Sequence, residues 1–169
     1  MKKLQCSLLA SVITLCLSNF AYAGQGLSFR AKLSGGAEVP TPVNTDTKGR
    51  ASFRVDRDFE SIDFKLKIKK AEGILAVAGA HIHCAPEGQN GPVVAFLAGA
   101  IPGGINGTLK ISATLSDDNI IDVGCGSDVE ELAEAMSMGM TYVNVHSTNN
   151  PGGEVRGQIL GKSRKVDDQ

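Results

Sequence analysis

Apolar and polar residues alternate with a period of two along most of this chain. Leu27, Phe29, Ala31 and Leu33 interleave with Ser28, Arg30 and Lys32. The pattern returns over Ser52 to Val55, Ile62 to Lys69, Leu109 to Leu115 and Val155 to Ile159. Successive side chains of a strand point to opposite faces, so this alternation predicts antiparallel strands with one face buried and one wet. Turn-forming clusters separate them: Ser34-Gly35-Gly36, Pro40-Thr41-Pro42, Glu87 to Pro92, Pro102-Gly103-Gly104 and Asn149 to Gly153. One segment follows another period. Between Asp128 and Met138, the residues Val129, Leu132, Ala133, Ala135 and Met136 fall at helical spacing. Ser127 or Asp128 is placed to cap that helix and Gly139 to end it. A strand from Thr141 to His146 follows. These elements predict an all-β fold, an antiparallel, Greek-key-like β-sandwich carrying one short helix.

The first 23 residues stand apart. Lys2 and Lys3 precede an apolar run from Leu8 to Leu17, and Ala21-Tyr22-Ala23 supplies small residues at a cleavage site. The run is too short to span a bilayer, so it reads as a secretory signal removed after Ala23. Residues 24–162 then form a single domain, and 163–169 a polar tail. The expected location is the periplasm or the medium, with no membrane attachment after cleavage. Removing two of the 17 basic side chains leaves 15 against 18 acidic, a small negative net charge. That balance argues against a nucleic-acid partner, which would call for a basic face. Cys84 and Cys125 remain beyond the signal. A disulfide suits an oxidising compartment and closes a loop of about 42 residues, for about 4 kcal/mol of stabilisation. Thiolate ligation of a metal is the alternative, because Cys84 follows His83.

Candidate chemistry lies in three histidines: His81, His83 and His146. Two positions apart on a strand, His81 and His83 share a face, with Ile82 on the other. Tyr142, Asn144 and His146 share the polar face of the later strand. If those strands are neighbours, three imidazoles converge. Such a set suits one transition metal ion, copper, zinc, iron or nickel, and leaves a coordination position open. Arg156 alternates onto a polar face near by, where its charge can draw in a small anion. Pairing of Arg156 with Glu154 or Glu38 is the structural alternative. Tyr142 and Glu154 are candidates for supporting the ligands, Tyr142 as a hydrogen-bond donor to an imidazole. Met136, Met138 and Met140 read as packing residues.

The chain resembles the CHRD-domain family, first described as a repeat in chordin. The resemblance is carried by Phe29 to Pro40 (FRAKLSGGAEVP), Ala80-His81-Ile82-His83, Asn90 to Val94 (NGPVV), Tyr142 to His146 (YVNVH) and Pro151 to Ile159 (PGGEVRGQI). It implies an all-β sandwich and, for some bacterial members, metal-dependent superoxide dismutation, with copper the first candidate ion, iron or zinc next, and superoxide the anion that Arg156 would draw in. The His81-x-His83 strand is also similar in outline to copper–zinc superoxide dismutase, although a fourth histidine for a two-metal site is lacking. A non-enzymatic binding, adhesion or copper-holding module is the competing expectation. Oligomeric state is not legible at this stage.

Overall fold

The alternating segments pair into one sheet that curls over a single core. A computed structural model describes residues 26–161, so the expected signal segment 1–23 and the tail 163–169 lie outside the described residues. Within them run β1 (Ser28–Ser34), β2 (Lys48–Val55), β3 (Ile62–Ile74), β4 (Ala80–Cys84), β5 (Val93–Ala98) and β6 (Ile105–Leu115). Helix α1 (Val129–Ser137), β7 (Thr141–Val145), β8 (Val155–Gln158) and β9 (Leu160–Gly161) complete the order. The pairings are antiparallel and follow β5-β4-β7-β8-β1-β2-β3-β6, with β9 added to β1. Isolated bridges from Ile74 to Ser147 and from Ala95 to Ile120 draw distant parts together, giving a nearly closed sandwich.

Both halves of the sheet turn their apolar sides inward. Phe29, Leu33, Phe53, Phe64, Leu66 and Ile68 from one half share a buried cluster with Ala80, Ile82, Val143, Val145 and Val155 from the other. Each large aliphatic side chain removed from water contributes roughly 1.5–3 kcal/mol, which is what a two-residue period is for. Because the inward faces meet, the outward faces of the two halves look away from each other.

Helix α1 starts where expected: Asp128 accepts a hydrogen bond from Glu131 N (2.8 Å), and Gly139, at φ 70°, follows its end. It buries Val129, Leu132, Ala133, Ala135 and Met136. Met138, in contrast, is 65% exposed, so the methionine run is only partly packing. Strand β5 (VVAFLA) was not expected from alternation. Its Val94, Ala95 and Leu97 are all buried, and a short, nearly continuous apolar run does not announce its period. The Cys84–Cys125 disulfide is formed, across 41 positions of sequence, and ties the end of β4 to the loop before α1. That pairing removes both sulfurs from the alternative of thiolate ligation.

Candidate metal centre

Strand pairing brings the three histidines together. β4 and β7 are adjacent, with His81 opposite Asn144 and His83 opposite Tyr142. His146 lies one residue past β7, its backbone N–H bonded to Gly79 O (3.1 Å). One ring nitrogen from each of His81, His83 and His146 lies within 4.8 Å of the other two. His81 and His146 are buried and His83 is half-buried.

The carbonyls around the rings decide which nitrogens are free. His146 Nδ1 pairs with Pro151 O (3.0 Å) and His83 Nδ1 with Gly91 O (2.9 Å). A carbonyl only accepts, so both Nδ1 atoms carry the proton and both Nε2 atoms keep a lone pair. His83 Nε2 is buried without a partner. His81 Nδ1 stands 3.2 Å from His146 Nε2. Two nitrogens bound to one tetrahedral ion at about 2.0–2.1 Å would be separated by about 3.3 Å. The set therefore fits a transition metal: three neutral imidazoles, two oriented by carbonyls, and one nitrogen with nothing else to do.

Burial also keeps the rings unprotonated. Desolvation lowers the pKa of His81 to about 4, helped by the charges of His146 and His83 and opposed by a backbone hydrogen bond with Ala78. Desolvation likewise lowers His83 and His146, against the bonds with Gly91 and Pro151. Near neutral pH these lowered values favour the unprotonated rings that a metal ion binds.

The remaining candidates fall around this trio in ways the alternation did not foretell. Tyr142 does not donate to an imidazole. Its ring stacks on His83 (4.8 Å between centroids, 11° between planes) and its hydroxyl oxygen accepts from Gly91 N (3.2 Å). Gly91 thus links Tyr142 to His83, holding the hydroxyl with its N–H and the imidazole with its C=O. A side chain at Gly91 would strike the carbonyl of Cys84, so glycine alone lets the loop come so close. Arg156 is 2% exposed. Its guanidinium lies 3.5 Å over the Tyr142 ring and donates to Asn90 Oδ1 (2.8 Å) and Gln89 O (2.5 Å). So enclosed, Arg156 is a buried positive charge and not a surface one. Neither Glu38 nor Glu154 forms an ion pair with it, since the salt bridge among the described residues joins Lys70 to Asp46. Glu154 instead receives hydrogen bonds from Thr45, Ser147 and Asn150, which hold its pKa down although burial pushes it up. It braces the loop after His146 and touches no histidine.

Other participants carried little or different signal. The turns at Asn90-Gly91 and Pro151 looked like mere connectors, yet their carbonyls orient two of the rings. Phe96 on β5 sits opposite His81, edge-on at 4.8 Å and 56% exposed, forming an open wall. Glu38 is buried, bonded by Asn144 Nδ2 (3.3 Å), and a Cβ at Gly153 would overlap both. Desolvation raises Glu38 to about 7, against the pull of Arg156 and Asn144.

The arrangement accords with what comparison finds. The CHRD domain pattern matches residues 29–159. The chain belongs to the CHRD-domain family. A search of curated proteins returned no match. For this CHRD domain, the matched span runs from the second residue of β1 through β8 and includes the three histidines and the loops that orient them.

Proposed function

We propose that this CHRD-domain protein is exported and holds one transition metal ion on His81, His83 and His146, copper before iron or zinc, for the dismutation of superoxide. The observation that carries the reading is the buried, partnerless His83 Nε2 beside the close His81–His146 nitrogens. An unpaired buried nitrogen costs on the order of 1–3 kcal/mol, which a ligand would offset. The N-terminal pattern of Lys2-Lys3, apolar run and Ala21-x-Ala23 supports export, as does a disulfide.

When bound, a copper or iron ion supplies an electron acceptor and then an electron donor to two successive superoxide anions. In balance, two superoxide anions and two protons give one dioxygen and one hydrogen peroxide. The chain's own contribution is placement. Gly91 and Pro151 hold two imidazoles in the tautomer that offers Nε2, and Tyr142 fixes the plane of His83. Phe96 narrows access from the β5 side without closing it. Arg156 adds fixed positive potential behind the Tyr142 ring, favouring an approaching anion.

Elemental analysis of protein purified from its own cells in metal-replete medium tests this. One ion per chain is expected, lost together with superoxide consumption in His83→Ala and His146→Ala. Absence of any ion in the unaltered protein overturns the site. An ion without turnover overturns the reaction and leaves a copper-holding or adhesive module.

A further inference from the structure

We infer that the outward face of β1, β2, β3 and β6 is an electrostatic docking surface for an anionic lipid bilayer. This inference is independent of the metal reading, because it uses none of the same residues. Strand register lines up Lys32, Arg50, Lys67 and Lys110 directly opposite one another across four adjacent strands. Lys48 faces Lys69 on one side of that row. Arg30 and Lys65 stand on the other side, each opposite Ser52. With Arg54, nine of the twelve Lys and Arg residues within 26–161 point out from this face, all of them exposed.

Like charges directly opposite in a sheet destabilise it. Here four stand in one row, and the face offers little to neutralise them. Its acidic residues among those described are Asp63, whose carboxylate is engaged by Thr114 Oγ1 (2.7 Å), and Glu72 near the far end of β3. A near-neutral total charge concealed the patch because the carboxylates lie elsewhere, seven of them within 117–134. Charge in this protein is segregated, not scarce.

The shape of the array selects the occupant. Rows lie about 6.6 Å apart along the strands and about 4.8 Å apart across them, so the cations fill two dimensions. A linear polyanion crossing the strands would engage a single row, whereas a plane of phosphate headgroups meets all of them. No aromatic side chain stands among the exposed residues of this face to stack a nucleic-acid base, and no large apolar one to enter the acyl region. A shallow cavity of about 300 Å³ bordered by three cations, Arg30, Arg54 and Lys65, and by the single carboxylate of Asp63 has room for one headgroup phosphate. Docked this way, the protein presents the histidine half of the sheet to solvent. Attachment would be peripheral and salt-sensitive, unlike the unattached protein expected from the sequence.

Vesicle sedimentation tests it, using the protein as its cells process it and vesicles of phosphatidylglycerol with phosphatidylcholine, or phosphatidylcholine alone. Binding to the anionic vesicles is expected at low salt, weakening as salt screens it. Each charge removed should cost about fivefold, so the double variant Arg50→Ser/Lys67→Ser should bind about 25-fold more weakly. Arg57→Gln, an exposed cation in the turn after β2, should change binding less than twofold. Equal partitioning onto both vesicle types overturns the proposal. So does a loss in Arg57→Gln as large as in Arg50→Gln, which would report net charge alone. Retention on a sulfated polysaccharide or duplex DNA at salt that strips the vesicles would also overturn it, in favour of a linear polyanion.

Discussion

The two halves of this sheet treat their outward side chains in opposite ways. On β3, burial alternates from Ile62 to Ile68 with the outward lysines fully in water. On β7, every residue from Thr141 to Val145 is buried, including the outward Tyr142 and Asn144. The same alternation of residue type thus produces a wet face in one half and a covered one in the other. Loops make the difference. The turns carrying Gln89 to Gly91 and Pro151 to Gly153, with Glu38, fold over β4, β7 and β8, whereas among the described residues the outward side chains of β1 to β3 stay exposed or half-exposed. Polar groups enclosed without solvent must find partners or be left wanting, and this half holds unpaired atoms on Glu38 (Oε1), His83 (Nε2), Thr141 (Oγ1), Asn144 (Oδ1) and Gln158 (Oε1), the first two of which mark where a proton or a ligand would matter.

The contrast can be broken at the staple. Replacing both cysteines in Cys84→Ser/Cys125→Ser should cost about 4 kcal/mol in urea unfolding. Amide exchange should quicken in β4 more than in β2, because Cys84 ends β4; equal quickening in both would show that the bond does not favour the histidine half.

Arginines on the two faces sharpen the comparison next. Arg156→Met removes a buried cation and strands Asn90 Oδ1 and Gln89 O, so about 3 kcal/mol should be lost. Arg50→Gln on the wet face should stay within about 0.5 kcal/mol. Chemical denaturation of the two variants side by side measures this, and similar losses would erase the distinction.

The pH dependence of the metal-free protein should separate the enclosed groups. Glu38 titrates near 7 when folded and near 4.5 when unfolded, so it binds more protons in the folded state between these values. Its contribution falls as pH rises from about 4.5 to 7, by roughly 2–3 kcal/mol. His81, lowered from 6.5 to about 4, works the other way: stability falls as pH drops through that window, because the unfolded chain takes up the proton first. Glu38→Gln should abolish the first slope and expose the second, with stability declining steadily from pH 6.5 to 4. A Glu38→Gln curve parallel to the unaltered protein would remove Glu38 from the account.

The smallest effect expected is Tyr142→Phe. It keeps the ring on His83 but leaves Gly91 N–H without its acceptor, for about 1 kcal/mol of stability and up to tenfold in metal affinity by titration. An unchanged affinity would show that Gly91 needs no help to orient His83.

Much of the fold was legible because its signal is local. The apolar alternation in Leu27 to Leu33 and Ile62 to Lys69 has one solution that buries its hydrophobic side, and Asp128 and Gly139 bracket the helix by local hydrogen bonding and backbone conformation. The site was half legible. His81-x-His83 declares a shared face by itself, but its meeting with His146 depends on β4 lying next to β7, a pairing across about sixty residues that no local rule dictates. The same limit hid the rest: Gly91 and Pro151 as ring anchors, Arg156 under a loop, and a row of cations assembled from four strands. Periodicity along the chain settled which side chains share a strand face. Only tertiary structure settled which faces adjoin and which are covered, because strand order and loop placement minimise exposed apolar surface and unpaired polar groups over the whole molecule at once.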